Sequence, residues 1–175
     1  MKTSLVLTCI GPDRPGLVES LSGVVADHEG NWVESRMAHL GGQFAGLLRV
    51  EVDAAHAADL VQALETLGSG DFRITVAPTG AAGEQTTRQL RLSLVGRDRP
   101  GIVRDISRVL SAYRVNVEEL ETSCTSAPES GEPLFEAKAS LHVPADVETD
   151  SVQAGLEEIA NDLMVDVDFE TDAKS

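Results

Sequence analysis

The chain has 175 residues, of which 14 are Lys or Arg and 29 are Asp or Glu, so its formal net charge is -15. This excess of negative charge repels phosphate backbones, and we expect no direct binding to nucleic acid. The hydrophobic fraction of 42% is enough for a packed core, which excludes a disordered chain.

The first predicted element is the apolar run TSLVLTCI, which is typical of a strand. It is too short and too interrupted for a signal peptide, and no run approaches the roughly 20 apolar residues of a membrane span. We therefore expect a cytoplasmic protein with no membrane contact. Cys9 in this strand and Cys124 are too few for a disulfide framework, so we expect reduced thiols, with Cys9 as a small core residue.

A loop, GPDRPG, separates this strand from a predicted helix. Proline suits the first turn of a helix because its φ is preset and its missing N-H is not needed there, so we expect Pro15 in that turn. Residues recur at helical spacing after the loop, at Leu17, Leu21, Val24, Val25 and His28.

Two predicted strands, NWVESRMAHL and QFAGLLRVEV, flank Gly41 and Gly42. Both glycines tolerate positive φ, which favours a two-residue hairpin turn. A second helix, AHAADLVQALETLG, and a closing strand, DFRITVA, complete the pattern. A Gly- and Thr-rich stretch at residues 79–87 is predicted to be a linker.

The chain then repeats the whole pattern. An offset of 85 residues aligns residues 3–38 with residues 88–123 without a gap, and the second loop reads GRDRPG. The second copy has a longer hairpin loop, TSAPESGEP. Its other elements are RQLRLSLV, a helix through Ile102, Ile106, Val109, Leu110 and Tyr113, an alternating strand at 135–143, the helix DVETDSVQAGLEEIAND and the strand LMVDVDF.

The order βαββαβ, written twice, predicts an α+β chain of two tandem ferredoxin-like units. Each unit is expected to be an antiparallel four-stranded sheet with two helices on one face. We place the first unit at residues 1–78, the linker at 79–87 and the second unit at 88–171. Two such units in one chain offer an intramolecular pseudo-dimer.

Each copy resembles an ACT domain, the amino-acid-binding regulatory module, through the Pro-Gly loop between its first strand and first helix. The tandem pair is similar to the glycine cleavage system transcriptional repressor family. Related pairs also serve as regulatory arms of phosphoserine phosphatases, and a single unit begins formyltetrahydrofolate deformylases. The resemblance implies a non-enzymatic regulator that binds a small amino acid of the glycine or serine class, forms a homodimer and modulates a transcription regulator.

The loops carry groups that suit such a ligand. A helix start presents unpaired N-H groups and partial positive charge to a carboxylate. The last glycine of each loop allows close approach to the backbone, and the loop aspartate can accept from an α-ammonium group. The candidate ligand-binding residues are Asp13, Gly16, Leu17, Asn31, Asp98, Gly101, Ile102 and Asn116.

Asn31 and Asn116 open the strand that follows each helix, and an amide can bind either end of a zwitterion. The resemblance implies that the loop of one unit and the Asn of a partnered unit face each other across an interface. Several amino-acid-binding members have Asn at the loop position where this chain has Asp, which leaves the ligand's orientation open. Alternatively, the aspartates cap their helices and the asparagines are turn residues.

Other chemistries are not indicated. The histidines and cysteines show no metal-ligand spacing, and no phosphate-loop, dinucleotide or nucleophile motif appears, so we expect no metal, cofactor or catalytic residue. Two rival functions stay open: a regulatory subunit of an amino-acid metabolic enzyme, and a ligand-free oligomerisation module.

Overall fold

The computed structural model describes residues 1–79, 87–127, 131–163 and 165–171. The chain divides into two compact units, Met1–Gly83 and Glu84–Ser175. The predicted linker at 79–87 lies mostly outside the described residues, as does part of the second hairpin loop. None of the described helices is long and apolar enough to span a membrane.

Each unit has the predicted order βαββαβ. The first contains β1 (Lys2–Pro12), α1 (Leu17–Asp27), β2 (Asn31–Leu40), β3 (Gln43–Asp53), α2 (Ala57–Leu67) and β4 (Arg73–Pro78). The second contains β5 (Thr87–Arg97), α3 (Ile102–Ala112), β6 (Asn116–Ser126), β7 (Pro133–Pro144), α4 (Thr149–Leu163) and β8 (Val165–Thr171). The helix α4 therefore includes Leu163, which the sequence pattern assigned to the last strand.

The two sheets share one topology. Their strand orders are β2-β3-β1-β4 and β6-β7-β5-β8, and the pairs are antiparallel. The edge strands β2 and β6 carry a β-bulge at equivalent positions, between Trp32 and Glu34 and between Val117 and Glu119. The predicted α+β fold of two ferredoxin-like units is confirmed.

Alternation along the strands creates one core per unit. In the first unit every second residue of β1 from Leu5 to Cys9 is buried, and these side chains pack with Leu17, Leu21 and other apolar residues of the helices. In the second unit Leu90, Leu92 and Leu94 do the same with α3 and α4. One face of each sheet is therefore covered by helices and the other is open.

Two local features of the first unit match what the sequence predicts. Gly41 and Gly42 have φ of 58° and 78°, which confirms the two-residue hairpin turn between β2 and β3. Cys9 is 2% exposed, and burial raises the pKa of its thiol, which confirms it as a core residue.

Candidate functional site

The GPDRPG-type loop joins the first strand to the first helix in both units and ends in the same backbone conformation in each. Gly16 has φ 89° and ψ 0°, and Gly101 has φ 98° and ψ -3°. This left-handed conformation is one that glycine adopts at little cost and other residues do not. The left-handed conformation therefore explains why the motif ends in glycine, and the helix begins directly after that residue.

This geometry corrects one expectation and excludes an alternative. Pro15 lies in the turn before Gly16 and not in the first helical turn, because the helix begins only at Leu17. The residues at the N-cap positions of α1 and α3 are Gly16 and Gly101, and neither helix has a side-chain cap hydrogen bond. The alternative that the loop aspartates cap these helices is therefore wrong.

The loop aspartates are held through their backbones. The N-H of Asp13 donates to the carbonyl of Gly42 at 3.0 Å, and the N-H of Asp98 donates to the carbonyl of Pro133 at 3.0 Å. Each bond extends the antiparallel ladder to the residue after the first strand. Both aspartates are exposed, so the loop fixes the position of each residue and leaves its carboxylate open to solvent.

A histidine that the sequence did not single out lies beside the first loop. Nε2 of His39 is 3.7 Å from Oδ2 of Asp13, an ion pair when the imidazole is protonated. His39 pairs with Phe44 in the sheet register as Cys124 pairs with Phe135, so Cys124 is its counterpart in the second unit. The two loops therefore differ in the side chain at this position.

The helix starts also differ in charge. A Cβ placed on Gly16 would lie 3.9 Å from Oε2 of Glu19, whereas a Cβ placed on Gly101 would lie 3.0 Å from Nη2 of Arg104. A carboxylate thus stands near the first loop glycine, whereas a guanidinium stands near the second together with the Asp105 carboxylate, whose Oδ2 would lie 3.8 Å from the same Cβ. Arg104 also donates from Nε to Asp105 at 2.9 Å, and this hydrogen bond holds the pKa of the Asp105 carboxyl below its usual range.

Two of the candidate residues can act only through their backbones. The side chains of Leu17 and Ile102 are 6% and 2% exposed and belong to the two cores. Their N-H groups lie in the first helical turn, where an α-helix offers no internal acceptor. They can therefore donate to a ligand carboxylate without any contribution from the side chain.

The strand asparagines lie far from the loop of their own unit. Asn31 pairs with Glu51, which in turn is level with Ser4, nine residues before Asp13. At about 3.3 Å per strand residue, the separation is about 30 Å. Asn116 is placed in the same way in the second unit, opposite His142. One unit by itself therefore does not bring its loop and its Asn to a common ligand.

Comparison with known proteins agrees with this architecture. Residues 3–75 match the family model of the ACT domain. The first unit of the chain therefore resembles an ACT domain over most of its length. The second unit repeats the strand order of the matched unit.

Similar proteins cover both units. The glycine cleavage system transcriptional repressor of Escherichia coli strain K12 is 20% identical over 162 residues, which are 91% of this chain and 85% of the repressor. A crystal structure of an unknown protein from Galdieria sulphuraria is 31% identical with a TM-score of 0.89, covering 99% of this chain and 100% of that one. A structure provisionally assigned as a glycine cleavage system transcriptional repressor shares the fold, with a TM-score of 0.69 at 19% identity, over 98% and 99% of the two chains.

Proposed function

We propose that this protein is a non-enzymatic regulator that binds a small amino acid of the glycine or serine class and modulates a partner transcription regulator. The relation to the Escherichia coli repressor supports the regulatory role. The observation that carries the proposal is the pair of loops, in which an exposed aspartate stands beside a helix start that a left-handed glycine leaves accessible.

The chemistry of each loop matches the two ends of a zwitterion. The free N-H groups of the first helical turn and the helix dipole attract the α-carboxylate. The carboxylate of Asp13 or Asp98 accepts from the α-ammonium group in a charge-assisted hydrogen bond. The absence of a side chain at Gly16 leaves room for close approach, which suits a small ligand, whereas the space beside Gly101 holds the guanidinium of Arg104.

The second loop is the stronger of the two sites in this proposal. Arg104 lies next to Gly101 and brings a cation, partly offset by its hydrogen bond to Asp105, to the place where the ligand carboxylate would bind. Glu19, the residue aligned with Arg104, adds an anion next to Gly16 and repels the same group. We expect the affinity of the second loop to exceed that of the first.

A complete site needs two units. The separation of about 30 Å between the loop and the Asn of one unit follows from the strand register, and a ligand touching both groups must lie between two associated units. A ligand held in this way shifts the association of the units by its differential affinity, which is what coupling to a partner requires.

A thermal-unfolding series with the twenty amino acids tests the binding step. A ligand at a hundred times its dissociation constant stabilises the native state by about 2.7 kcal/mol, so binding of glycine or serine raises the melting temperature. We expect Arg104→Glu to reduce the rise and its counterpart Glu19→Arg to preserve or increase it. If no amino acid shifts the melting temperature, the proposed ligand class is wrong.

Co-purification with a transcription regulator tests the second step. Tagged protein is mixed with a purified regulator of the glycine cleavage system, with and without the amino acid identified above. The proposal predicts that the ligand changes the apparent affinity for the regulator roughly 5- to 150-fold, the usual range of allosteric coupling. Equal affinity in both conditions would contradict regulation by the ligand even if the ligand binds.

A further inference from the structure

The open face of the first sheet carries a cluster of apolar side chains. Ile10, Leu47 and Leu40 are 50%, 51% and 83% exposed. Ile10 pairs with Ala45, which pairs with Ala38, so these three form one row across β1, β3 and β2. We call the whole cluster the apolar face: Val6, Ile10, Ala38, Leu40, Ala45 and Leu47.

The second unit has charged or polar residues at most of the equivalent positions. Its register places Glu136 where the first unit has Ala45, and Lys138 where the first unit has Leu47. Val95 is the counterpart of Ile10. Because the second unit forms the same sheet without them, the apolar residues are not required to build the fold. Their presence on one unit alone favours a role in association.

We infer that the apolar face of the first unit binds the same face of a second copy of this chain, giving a two-fold symmetric dimer. The strands β1 and β3 have 11 residues each, so the face is about 36 Å long, and its four strands make it about 19 Å wide. Allowing for the shorter β4, the two copies together bury roughly 1,200 Å², the lower end of the range for specific interfaces.

A two-fold axis parallel to the strands gives the best match. It places β3 of one copy over β1 of the other and keeps the apolar ends of the two faces together. Leu47 and Ala45 then lie over Thr8 and Ile10 of the second copy. Sheets that pack face to face in this way stay within about 30° of alignment.

Three charged side chains on this face, those of Glu34, Arg36 and Arg49, pair among themselves. Arg36 donates to Glu34 at 2.8 Å, and Arg49 lies 3.6 Å from the same carboxylate. The hydrogen bond from Arg36 is the main reason that the pKa of Glu34 is lowered. Closing the face over these pairs avoids burying a lone ion there. Arg73, which is level with Ile10, lies on the exposed edge strand β4, so its guanidinium can remain in solvent when the faces close.

Sedimentation equilibrium of the full chain, without any amino acid, tests this inference. The dimer goes beyond the proposed function. Because the measurement uses no ligand, absence of the dimer can be distinguished from absence of ligand binding. We expect a concentration-dependent dimer. The variant Leu47→Lys, which gives the first unit the residue that the second unit has, raises the dissociation constant of the dimer at least about tenfold.

The matched control is Val95→Lys, which changes the counterpart of Ile10 on the second unit and leaves the dimer unchanged; Ile10→Lys weakens it as Leu47→Lys does. Circular dichroism and the melting temperature show whether each variant folds. The inference is overturned by a wild-type monomer at all concentrations, by a dimer that Leu47→Lys does not weaken, or by equal weakening in Val95→Lys.

Discussion

Replacing Gly16 by Ala tests the geometry on which the loop site depends. The φ of 89° lies in a region that costs an L-residue about 1–2 kcal/mol, and no nearby atom blocks the new methyl group, since Oε2 of Glu19 is 3.9 Å away. The reduced freedom of the unfolded chain offsets part of this cost. We therefore expect Gly16→Ala to destabilise its unit by about 1 kcal/mol, a fall in melting temperature of roughly 4–8 °C for a unit of this size.

The same substitution at Gly23 provides the control. Gly23 lies inside α1, has no positive φ, and has no atom within 4 Å of the position that a new methyl group would take. Gly23→Ala is therefore expected to stabilise the helix by about 0.5–1 kcal/mol. Urea unfolding of the two variants and the wild type measures both effects. The left-handed helix start would be refuted if Gly16→Ala were as stable as Gly23→Ala.

Three further predictions concern single side chains. Asp13→Ala weakens amino-acid binding but changes the free energy of unfolding by less than about 0.5 kcal/mol, because the exposed carboxylate caps no helix. A larger loss of stability in urea unfolding would show that Asp13 has a structural role. Because the pKa of Asp105 is lowered in the folded state, its carboxylate contributes stability above the unfolded pKa, and this stability is lost as the pH falls through the folded pKa. Arg104→Met is therefore expected to lose less stability on acidification than the wild type, as measured by urea unfolding across that pH range. Cys124 reacts rapidly with a thiol reagent in the native protein and Cys9 does not, and Cys124→Ser abolishes the fast reaction.

The sequence predicts most of the fold because the turn-forming residues and the apolar periodicity predict the same helices and strands. Gly41 and Gly42 determine a turn by themselves, and the apolar spacing from Leu17 onward predicts the helix. The Pro15-Gly16 pair is ambiguous in the sequence, because proline fits a first helical turn and glycine fits a left-handed residue before one. The structure adopts the second arrangement in both units.

Features that depend on strand register cannot be predicted from a single sequence. The strand β2 carries Trp32 and Met37, whose odd spacing places them on opposite faces of a regular strand. The bulge between Trp32 and Glu34 shifts the alternation, and both side chains pack against the core. The contact of His39 with Asp13 and the apolar face arise in the same way, from residues that only the pairing of β2, β3 and β1 brings together.

The candidate site residues also differ in whether the local sequence alone determines their positions. The loop residues are neighbours in the sequence, so their joint position follows from one turn. A site that combined Asn31 with a loop would require a second unit, because the register places Asn31 about 30 Å from its own loop. Its place in a ligand site, like that of Asn116, stays a prediction.

Calorimetric titration of glycine and of serine into the full chain is the most direct test of the proposed function. We expect a saturable heat for at least one of them, which is lost in a double variant carrying Asp13→Ala and Asp98→Ala although that variant unfolds at the same urea concentration as the wild type. Absence of any heat with the folded wild type, or an unchanged titration of the double variant, would contradict ligand binding at the GPDRPG-type loops.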